Sequence, residues 1–356
     1  MVAVIPFLSS VSGTSESRLI PASSIWRNCF FIPEASLRVG MRCNGDFGLR
    51  GTAMTLLDLN QMFSTDAQCR ELLERLRWPE GVMCPRCKDT HVSRLKDYAR
   101  YECVGCEYQF TVTSGTIFHD SHLPLPIWFI ATLLLCEAKK GMSAHQLRRT
   151  IWGQHKGSYK TAWYLFHRIR AAMATAERPM LDGTVEMDET YVGGVKRGIG
   201  QRRAKEMKQV VIGIRQRNQG DKPGAVRFFH AEDAKSGTLA RYIQENISSD
   251  VDVIVTDDLP AYQKAVGDHK HETVNHSAKE YVRLGTDIHT NTVESAFSLL
   301  KRGIMGTWHR LSAKHLQAYL DEMTFRFDRR GRSDLFLDTL RHMVTADPLT
   351  FEELTA

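Results

Sequence analysis

No apolar run in the sequence is long enough to cross a bilayer, which takes about 20 residues. The best candidate, residues 125–136, is only a dozen residues long and contains Thr132, a length that fits a buried helix. The first eight residues are apolar but have no basic leader, so they make a poor signal peptide. The sequence thus predicts neither a transmembrane segment nor an export signal.

Cysteines are few, eight in 356 residues, and they do not form the framework of a disulfide-rich secreted domain. The charged fraction of 25% and the hydrophobic fraction of 42% exclude global disorder, and the sequence shows no internal repeat. A net charge of +6 favours polyanionic partners only mildly. We therefore expect two or three packed domains in a reducing compartment.

Four of the cysteines form two matched pairs, C-P-R-C and C-V-G-C: Cys84, Cys87, Cys103 and Cys106. Zinc takes four soft ligands in a tetrahedron, and two such knuckles on neighbouring hairpins supply them. Four unrelated thiols or a redox pair are the alternatives, but a redox motif needs only one pair. The spacing predicts a structural zinc ribbon with no open position for water. Its basic side chains are expected either to contact phosphates or to be merely solvated: Arg86, Lys88, Arg94, Lys96 and Arg100.

Residues 1–53 differ from the rest, because they are Ser-rich and show no helical or strand period. They are expected to be disordered or weakly ordered, and Met54 is an alternative start. Short helices are predicted within residues 55–77, around a Ser-Thr-Asp cap at 64–66. The ribbon follows.

Residues 123–176 predict three helices, the first after Pro126, the second capped by Ser143 and the third starting near Ser158. The last two are separated by a Gly-containing turn, which resembles a helix-turn-helix whose second helix enters a major groove. An ordinary helical hairpin with a basic face fits the pattern equally well. On the first interpretation four side chains would contact phosphates: Lys156, Lys160, Arg168 and Arg170.

The pattern changes at Asp182, where strands begin to alternate with helices and so predict a mixed α/β sheet. Strands are predicted at 184–192, 209–216, 225–232 and 251–257. Helices are predicted at 234–247, 259–266, 292–303 and 312–328. A basic insert at 193–208 is expected to be a flexible loop that contacts the DNA backbone through Lys196, Arg197, Arg202 and Arg203, or else a solvated loop.

Carboxylates occur where this pattern predicts buried structure. Asp188 lies inside an apolar strand and Asp257 ends another, and such groups are costly to bury unless they bind something. Glu294 lies on a predicted helix two turns before Lys301 and one turn after Asn291, so the three share a face. Each acid alone is more simply a cap or a salt-bridge partner. Together, three acids from two strands and a helix can hold two Mg²⁺ ions for an in-line displacement.

The sequence from about Thr55 to Arg330 resembles the DDE transposases of bacterial insertion sequences, specifically the ISXO-like group, the insertion-sequence-fifteen-ninety-five family. The motifs that carry this resemblance occur in order: RWPEGVMCPRC, QFTVTSGTIF, VEMDETYVGG, VTDDLPAY, VNHSAKEYV, HTNTVESAFSLLKRGI and HLQAYLDEMTFRFDRR. The resemblance implies an RNase H-like catalytic fold, dependence on Mg²⁺ and binding to terminal inverted repeats.

Carried over residue by residue, the resemblance makes Asp188 the first acid and Asp257 the second, in preference to Asp258. It makes Glu294 the third, with Lys301 as the associated basic residue. Because some relatives use Asn in the third role, Asn291 is the fallback. Each of the three acids is expected to bind magnesium, and the four cysteines to bind zinc.

The sequence thus predicts an α/β protein with a zinc ribbon, a helical DNA-binding region and an RNase H-like core. The expected divisions are an extension at 1–53, helices at 54–80, the ribbon at 81–115, the helical region at 116–180, the catalytic domain at 181–335 and a tail at 336–356. The expected function is cleavage and joining of DNA. A nuclease on the same fold and a zinc-ribbon regulator without catalysis are the alternatives. The expected partners are repeat-end and target DNA and further copies of the chain when on DNA, in the bacterial cytoplasm at the nucleoid.

Overall fold

The computed structural model describes residues 53–96, 99–193, 208–278, 282–283, 285–309 and 311–356, all within the unit Gly48–Ala356. The predicted extension at 1–53 lies outside this description except for Ala53, and so do the four basic residues of the predicted loop: Lys196, Arg197, Arg202 and Arg203. Among the described residues, no helix combines the length and apolarity that a membrane span requires.

Two short helices open the described chain, α1 (Leu56–Met62) and α2 (Asp66–Arg77). Each begins with a capping box, in which the cap hydroxyl accepts a backbone N–H and the third helical side chain accepts the N–H of the cap residue. Thr65 and Gln68 form the second box, which confirms the predicted cap at 64–66.

The ribbon is a three-stranded antiparallel sheet of β1 (Val92–Arg94), β2 (Tyr101–Cys103) and β3 (Gln109–Phe110). An aromatic cluster joins it to the end of α2. The ring centroids of Trp78 lie 5.6 Å from Tyr101 and 5.9 Å from Phe110, both edge to face. Such a small sheet buries little by itself, so this cluster and the cysteines are its main supports.

The three predicted helices of the next region are confirmed as α3 (Leu125–Glu137), α4 (Ala144–Trp152) and α5 (Tyr159–Ala174). The Ser143 side chain caps α4 by accepting the N–H of Gln146. Helix α3 is apolar and buried on most sides, as its composition predicts.

Helix α5 is buried along most of its length, so the prediction that Arg168 and Arg170 contact phosphates is wrong. The Arg168 side chain is 3% exposed, with its guanidinium 5.1 Å from the centroid of the Trp128 ring. Arg170 is 2% exposed, and its Nε donates to Glu322 at 2.7 Å. Lys156 and Lys160, before and within the first turn, are exposed.

The larger sheet has five strands: β4 (Thr184–Val192), β5 (Gln209–Gln216), β6 (Val226–Ala231), β7 (Val253–Asp257) and β8 (His271–Val274). Their order is β6-β5-β4-β7-β8. The pairs β6/β5 and β5/β4 are antiparallel, whereas β4/β7 and β7/β8 are parallel. The first four strands confirm the predicted ones to within two residues. The last strand was not predicted, because HETV is short and half polar.

Helices cover both faces of this sheet. On one face α6 (Ser236–Asn246) and α7 (Pro260–Ala265) bury Leu239 and Tyr262 against Val185 and Met187. On the other face, α8 (Asn291–Gly303) and α9 (Ala313–Asp328) contribute side chains to a second hydrophobic cluster. The sheet contributes Val211 and Phe228 to the same cluster. Alternate residues of β4 therefore belong to different cores, and its even-numbered side chains, including Glu186 and Asp188, face α8.

The sequence predicts only a tail for 336–356, but the structure has α10 (Leu335–Thr345) and α11 (Phe351–Thr355) there. Helix α10 packs against α2, α3 and α5. Its buried side chains, among them Phe336, Leu340 and Met343, recur at the spacing of an amphipathic helix. The C-terminus is thus part of the core of the helical region.

A buried ion-pair group joins α5 to α9. The Glu322 carboxylate is fully buried and receives the Nε of Arg170 and, at 3.0 Å, the Nη2 of Arg326. Removing one member of such a group leaves an uncompensated charge in the core and costs about 3–5 kcal/mol. This contact ties the helical region to the helices that cover the five-stranded sheet.

Candidate functional site

The four ribbon cysteines lie close enough to share one metal ion. All four Sγ atoms lie within 4.8 Å of one another, with 3.7 Å between Cys84 and Cys106 and 3.4 Å between Cys87 and Cys103. A tetrahedral ion with bonds of about 2.3 Å would set its sulfur ligands about 3.8 Å apart. The thiols therefore fit zinc, and with four protein ligands the site is structural in type.

The two knuckles have the same backbone geometry. The N–H of Lys88 donates to the carbonyl of Cys84 at 3.0 Å, and the N–H of Glu107 donates to the carbonyl of Cys103 at 2.9 Å. Lys88 and Glu107 both have positive φ, 66° and 56°, an uncommon conformation for residues other than glycine. The two knuckles therefore share one turn conformation, and each presents its pair of thiols to the same group of four.

The second group of possible ligands lies at the centre of the five-stranded sheet. Asp188 is on β4 and Asp257 ends the neighbouring parallel strand β7. Glu186 is opposite Val255, and continuing this register by two residues sets Asp188 level with Asp257. The carboxylate oxygens of Asp188, Glu189 and Asp257 lie within 4.8 Å of one another.

The closeness of these carboxylates and their burial raise the pKa values of two of them. Burial, followed by the charges of Glu189 and Asp257, raises the pKa of Asp188 from its usual 3.8 to about 8. Burial also raises the pKa of Asp257 above its ordinary value. Neighbouring carboxylates in a buried setting cannot all ionise without a counter-charge, so the group either holds a proton or attracts a cation.

Asp188→Asn is expected to stabilise the protein in the absence of metal. A carboxyl whose folded-state pKa is raised loses stability as pH rises from 3.8 to about 8, and the loss is complete above that range. The variant should therefore melt roughly 5 °C higher than the wild type near pH 9, and the gain should shrink towards pH 5. Thermal melts in a chelator at both pH values measure this. A lower melting temperature for the variant than for the wild type near pH 9 would contradict the conclusion that burial and neighbouring charges disfavour the ionised Asp188 carboxylate.

Glu189 was not predicted as a site residue, because neighbouring side chains in a strand point to opposite faces. Its carboxylate nevertheless joins the group at the end of β4 and accepts a 3.1 Å hydrogen bond from the hydroxyl of Tyr262 on α7. The two consecutive acids in MDET were the only available signal.

Glu294 reaches the same place from helix α8. Asp188, Glu189, Glu294 and Lys301 line one recess of about 460 Å³. Glu294 is not within the tight group, but its charge contributes to the raised pKa of Asp188. Its side chain is 45% exposed, and its Oε1 lies 3.3 Å from the Nε2 of His276.

Two neighbouring residues lie elsewhere. Asn291, the fallback third acid, does not line this recess, although it is exposed at the start of α8. Asp258 is exposed beyond the end of β7 and is outside the group of three carboxylates. Asp188 thus lies beside Asp257 in the group of three carboxylates and beside Glu294 at the recess, which Asp257 does not line.

Helix α8 can lie this close to β4 because Gly213 faces it from β5. Gly213 pairs with Asp188 in the antiparallel ladder. A Cβ added to Gly213 would come within 2.6 Å of the Phe297 ring. The missing side chain therefore leaves room for Phe297, one turn after Glu294, and lets the helix approach the strand.

The acids fit magnesium by their chemistry. All offered ligand atoms are carboxylate oxygens, which Mg²⁺ prefers, whereas zinc and copper favour nitrogen or sulfur. All three acids are half-buried, and burial raises the pKa of both Asp188 and Asp257, so a bound cation would favour their ionised forms. The recess leaves an open side, which suits an ion that keeps water and phosphate oxygens in its shell.

The chain matches two family models: an ISXO2-like transposase domain at residues 180–328 and a transposase zinc-ribbon domain at residues 64–109. The first contains the five-stranded sheet with α6 to α9, and the second contains α2 and most of the ribbon. These matches confirm the resemblance found from the motifs.

A protein of the transposable element ISH50 of Halobacterium salinarum is 31% identical over 303 residues, which cover 77% of this chain and 95% of that protein. A simian T-cell lymphotropic virus intasome, solved in complex with the PP2A regulatory subunit B56 gamma, is 17% identical. That match covers 41% of this chain and 52% of the other, and its TM-score of 0.22 is too low to argue a shared fold. On the family models and the ISH50 relative, the chain belongs to the IS1595 family of ISXO2-like transposases.

Proposed function

We propose that the chain binds the terminal inverted repeats of its insertion sequence and catalyses DNA strand cleavage and strand transfer with Mg²⁺. The observation that carries this proposal is the position of Asp188, which lies within 4.8 Å of Asp257 on the adjacent strand and lines an open recess with Glu294 from helix α8. Acids so far apart in sequence meet only through the fold. A solvated or capping role would not require three of them at one point.

An RNase H-like core is part of this proposal. Three antiparallel strands continue into two parallel ones, with the first strand, β4, at the centre. Asp188 is therefore on the most enclosed strand, and Asp257 is beside it. The helices on both faces support the same assignment.

Asp188, Asp257 and Glu294 would hold the Mg²⁺ ions, and Glu189 is a further oxygen ligand within reach. Bound Mg²⁺ would neutralise charge at the scissile phosphate and favour an in-line displacement. The acids themselves fix where the phosphate lies, because their positions are set by packed elements and not by a loop. No nucleotide cofactor is required, since strand joining conserves the number of phosphodiester bonds.

Lys301 and Arg302 would bind the DNA phosphates at this recess. Both line it, both are exposed, and both lie in the last turn of α8. Lys301 is two turns from Glu294, so the helix presents an acid for the metal and a base for the phosphate along one face.

Sequence-specific contact is assigned to the ribbon and the start of α5. Exposed basic side chains there include Arg86, Lys88, Lys156 and Lys160. Arg94 is already engaged, since its Nη2 donates to Glu74 at 2.6 Å. If α5 meets a groove, it does so through its first turn, as helix-turn-helix proteins do, because the rest is buried. Binding two element ends for joining would bring several copies of the chain together.

The decisive experiment incubates the purified chain with labelled DNA carrying the ends of its element, plus target DNA and Mg²⁺. We expect cleavage at the end and a longer labelled product in which the end is joined to the target. Cleavage without joined product would favour a nuclease on the same fold. Binding with neither reaction would favour a zinc-ribbon regulator.

A further inference from the structure

A fully buried carboxylate lies next to the recess but outside it. Glu186 is on β4, two residues before Asp188, and is completely shielded from solvent. Side chains two residues apart in a strand share a face, so both point towards α8. An ionised carboxylate in a core is costly unless donors surround it, so its partners should explain its presence.

The first partner is the start of helix α8. The Oε2 of Glu186 accepts a 2.8 Å hydrogen bond from the N–H of Val293. The first N–H groups of a helix have no partner within it, and the cap residue Thr290 makes no capping bond with its side chain. A negative charge here is also favoured by the helix dipole. Strand β4 thus caps α8 at the residue directly before Glu294.

The second partner is Arg217, directly after β5. Its Nε donates to the Oε1 of Glu186 at 2.6 Å, and the Nδ1 of His289 lies 3.2 Å from the same oxygen. The same guanidinium also donates to the backbone carbonyls of Asp287, at 2.6 Å, and His289, at 2.8 Å. Arg217 therefore holds the backbone that leads into α8.

From these contacts we propose that Glu186 is a positioning residue, which sets the position of Glu294 on α8 relative to Asp188 on β4. It does not touch the recess. It bonds the helix that carries one acid to the strand that carries another, and Arg217 fixes its carboxylate. This inference rests on the proposed function, because positioning matters only if the acids share metal ions.

The expected consequence of weakening this bond is a loss of metal affinity. Metal sites require their ligands within about 0.5 Å of the productive geometry. Residues that orient the ligands typically change metal affinity by about 10–100-fold when replaced. In Glu186→Gln the buried charge is lost and Arg217 keeps only the exposed carboxylate of Asp287, at 2.8 Å, so the start of α8 is held less firmly.

The test measures binding of Mn²⁺, a paramagnetic substitute for Mg²⁺, to the full chain without DNA by electron paramagnetic resonance. We expect Glu186→Gln to bind Mn²⁺ about 10–100-fold more weakly than the wild type. Asp328→Asn is the matched control. Asp328 also accepts a backbone N–H, from Val226 at 2.8 Å, and pairs with Arg227, but it joins β6 to α9 and is not at the recess. Its variant should lose stability and keep its Mn²⁺ affinity.

The outcomes separate the two proposals. If Asp188→Asn abolishes Mn²⁺ binding while Glu186→Gln binds as well as the Asp328→Asn control, the positioning role is overturned and the proposed function stands. If the wild type binds no Mn²⁺, both are overturned. Should Glu186→Gln fail to fold, Glu186→Asp keeps the charge but shortens the side chain by one methylene. A weaker Mn²⁺ affinity for that variant supports the inference, and an unchanged affinity overturns it.

Discussion

Asp188→Ala is expected to abolish cleavage and joining of element ends while leaving their binding nearly intact. The rate should fall by at least about 10³-fold, since removal of a main source of transition-state charge stabilisation has effects of this order. Affinity for the repeat DNA should be unchanged or slightly higher, because a carboxylate near phosphate is repulsive. The split is expected because binding is assigned to the ribbon and helical region, whereas Asp188 lies in the recess.

A cleavage assay with labelled ends in Mg²⁺, run beside a gel shift on the same DNA, measures both effects. Asp257→Ala and Glu294→Ala should behave in the same way. Asp258→Ala is the matched control, because it removes an adjacent but exposed carboxylate and should change the rate little. Near wild-type cleavage by Asp188→Ala would show that the metal assignment is wrong.

Loss of zinc is expected to unfold the ribbon. We expect about one Zn²⁺ per chain, and Cys103→Ala should lose it together with specific binding to the element ends. Structural zinc contributes about 10–16 kcal/mol to the folding of small modules, which is comparable to the whole stability of a typical domain. The ribbon has three short strands and one aromatic cluster, so little else can replace the metal.

Elemental analysis and thiol titration of the folded protein measure this directly. Cys69→Ala is the control, because Cys69 is also a buried free thiol but lies on α2 outside the group of four. It should keep the full zinc content. Purified wild-type protein without zinc, whose four ribbon thiols all titrate freely, would refute the metal site.

The elements that the sequence predicts well are those whose pattern is local. Strands β4 and β5 have the predicted ends, because long β-branched and apolar runs carry a strong signal. Caps at Thr65 and Ser143 follow from single side chains. By contrast, β8 is four residues long, and its place in the sheet depends on pairing with β7. A pattern this short does not specify a strand by itself.

What could not be predicted depends on partners that are distant in sequence. The basic face of α5 looks like a phosphate-binding surface until Glu322 on α9 is found beside Arg170. Strand β4 contains three acids, and nothing local distinguishes Glu186, which caps α8, from Asp188, which lines the recess. The family motifs identify Asp188, whereas only the three-dimensional contacts give Glu186 and Glu189 their places.

The packing of α10 has a consequence for how the chain is made. Domains generally fold from the N-terminus as they leave the ribosome. Here α2, α3 and α5 are synthesised early, but α10, which packs against all three, is synthesised near the end of the chain. Arg170 on α5 likewise has no Glu322 to pair with until α9 has been synthesised. A product of premature termination before α9 would therefore carry an unpaired buried arginine and an open apolar face around Phe129. Such a truncated chain is expected to expose apolar surface in the helical region, which favours its aggregation or proteolysis.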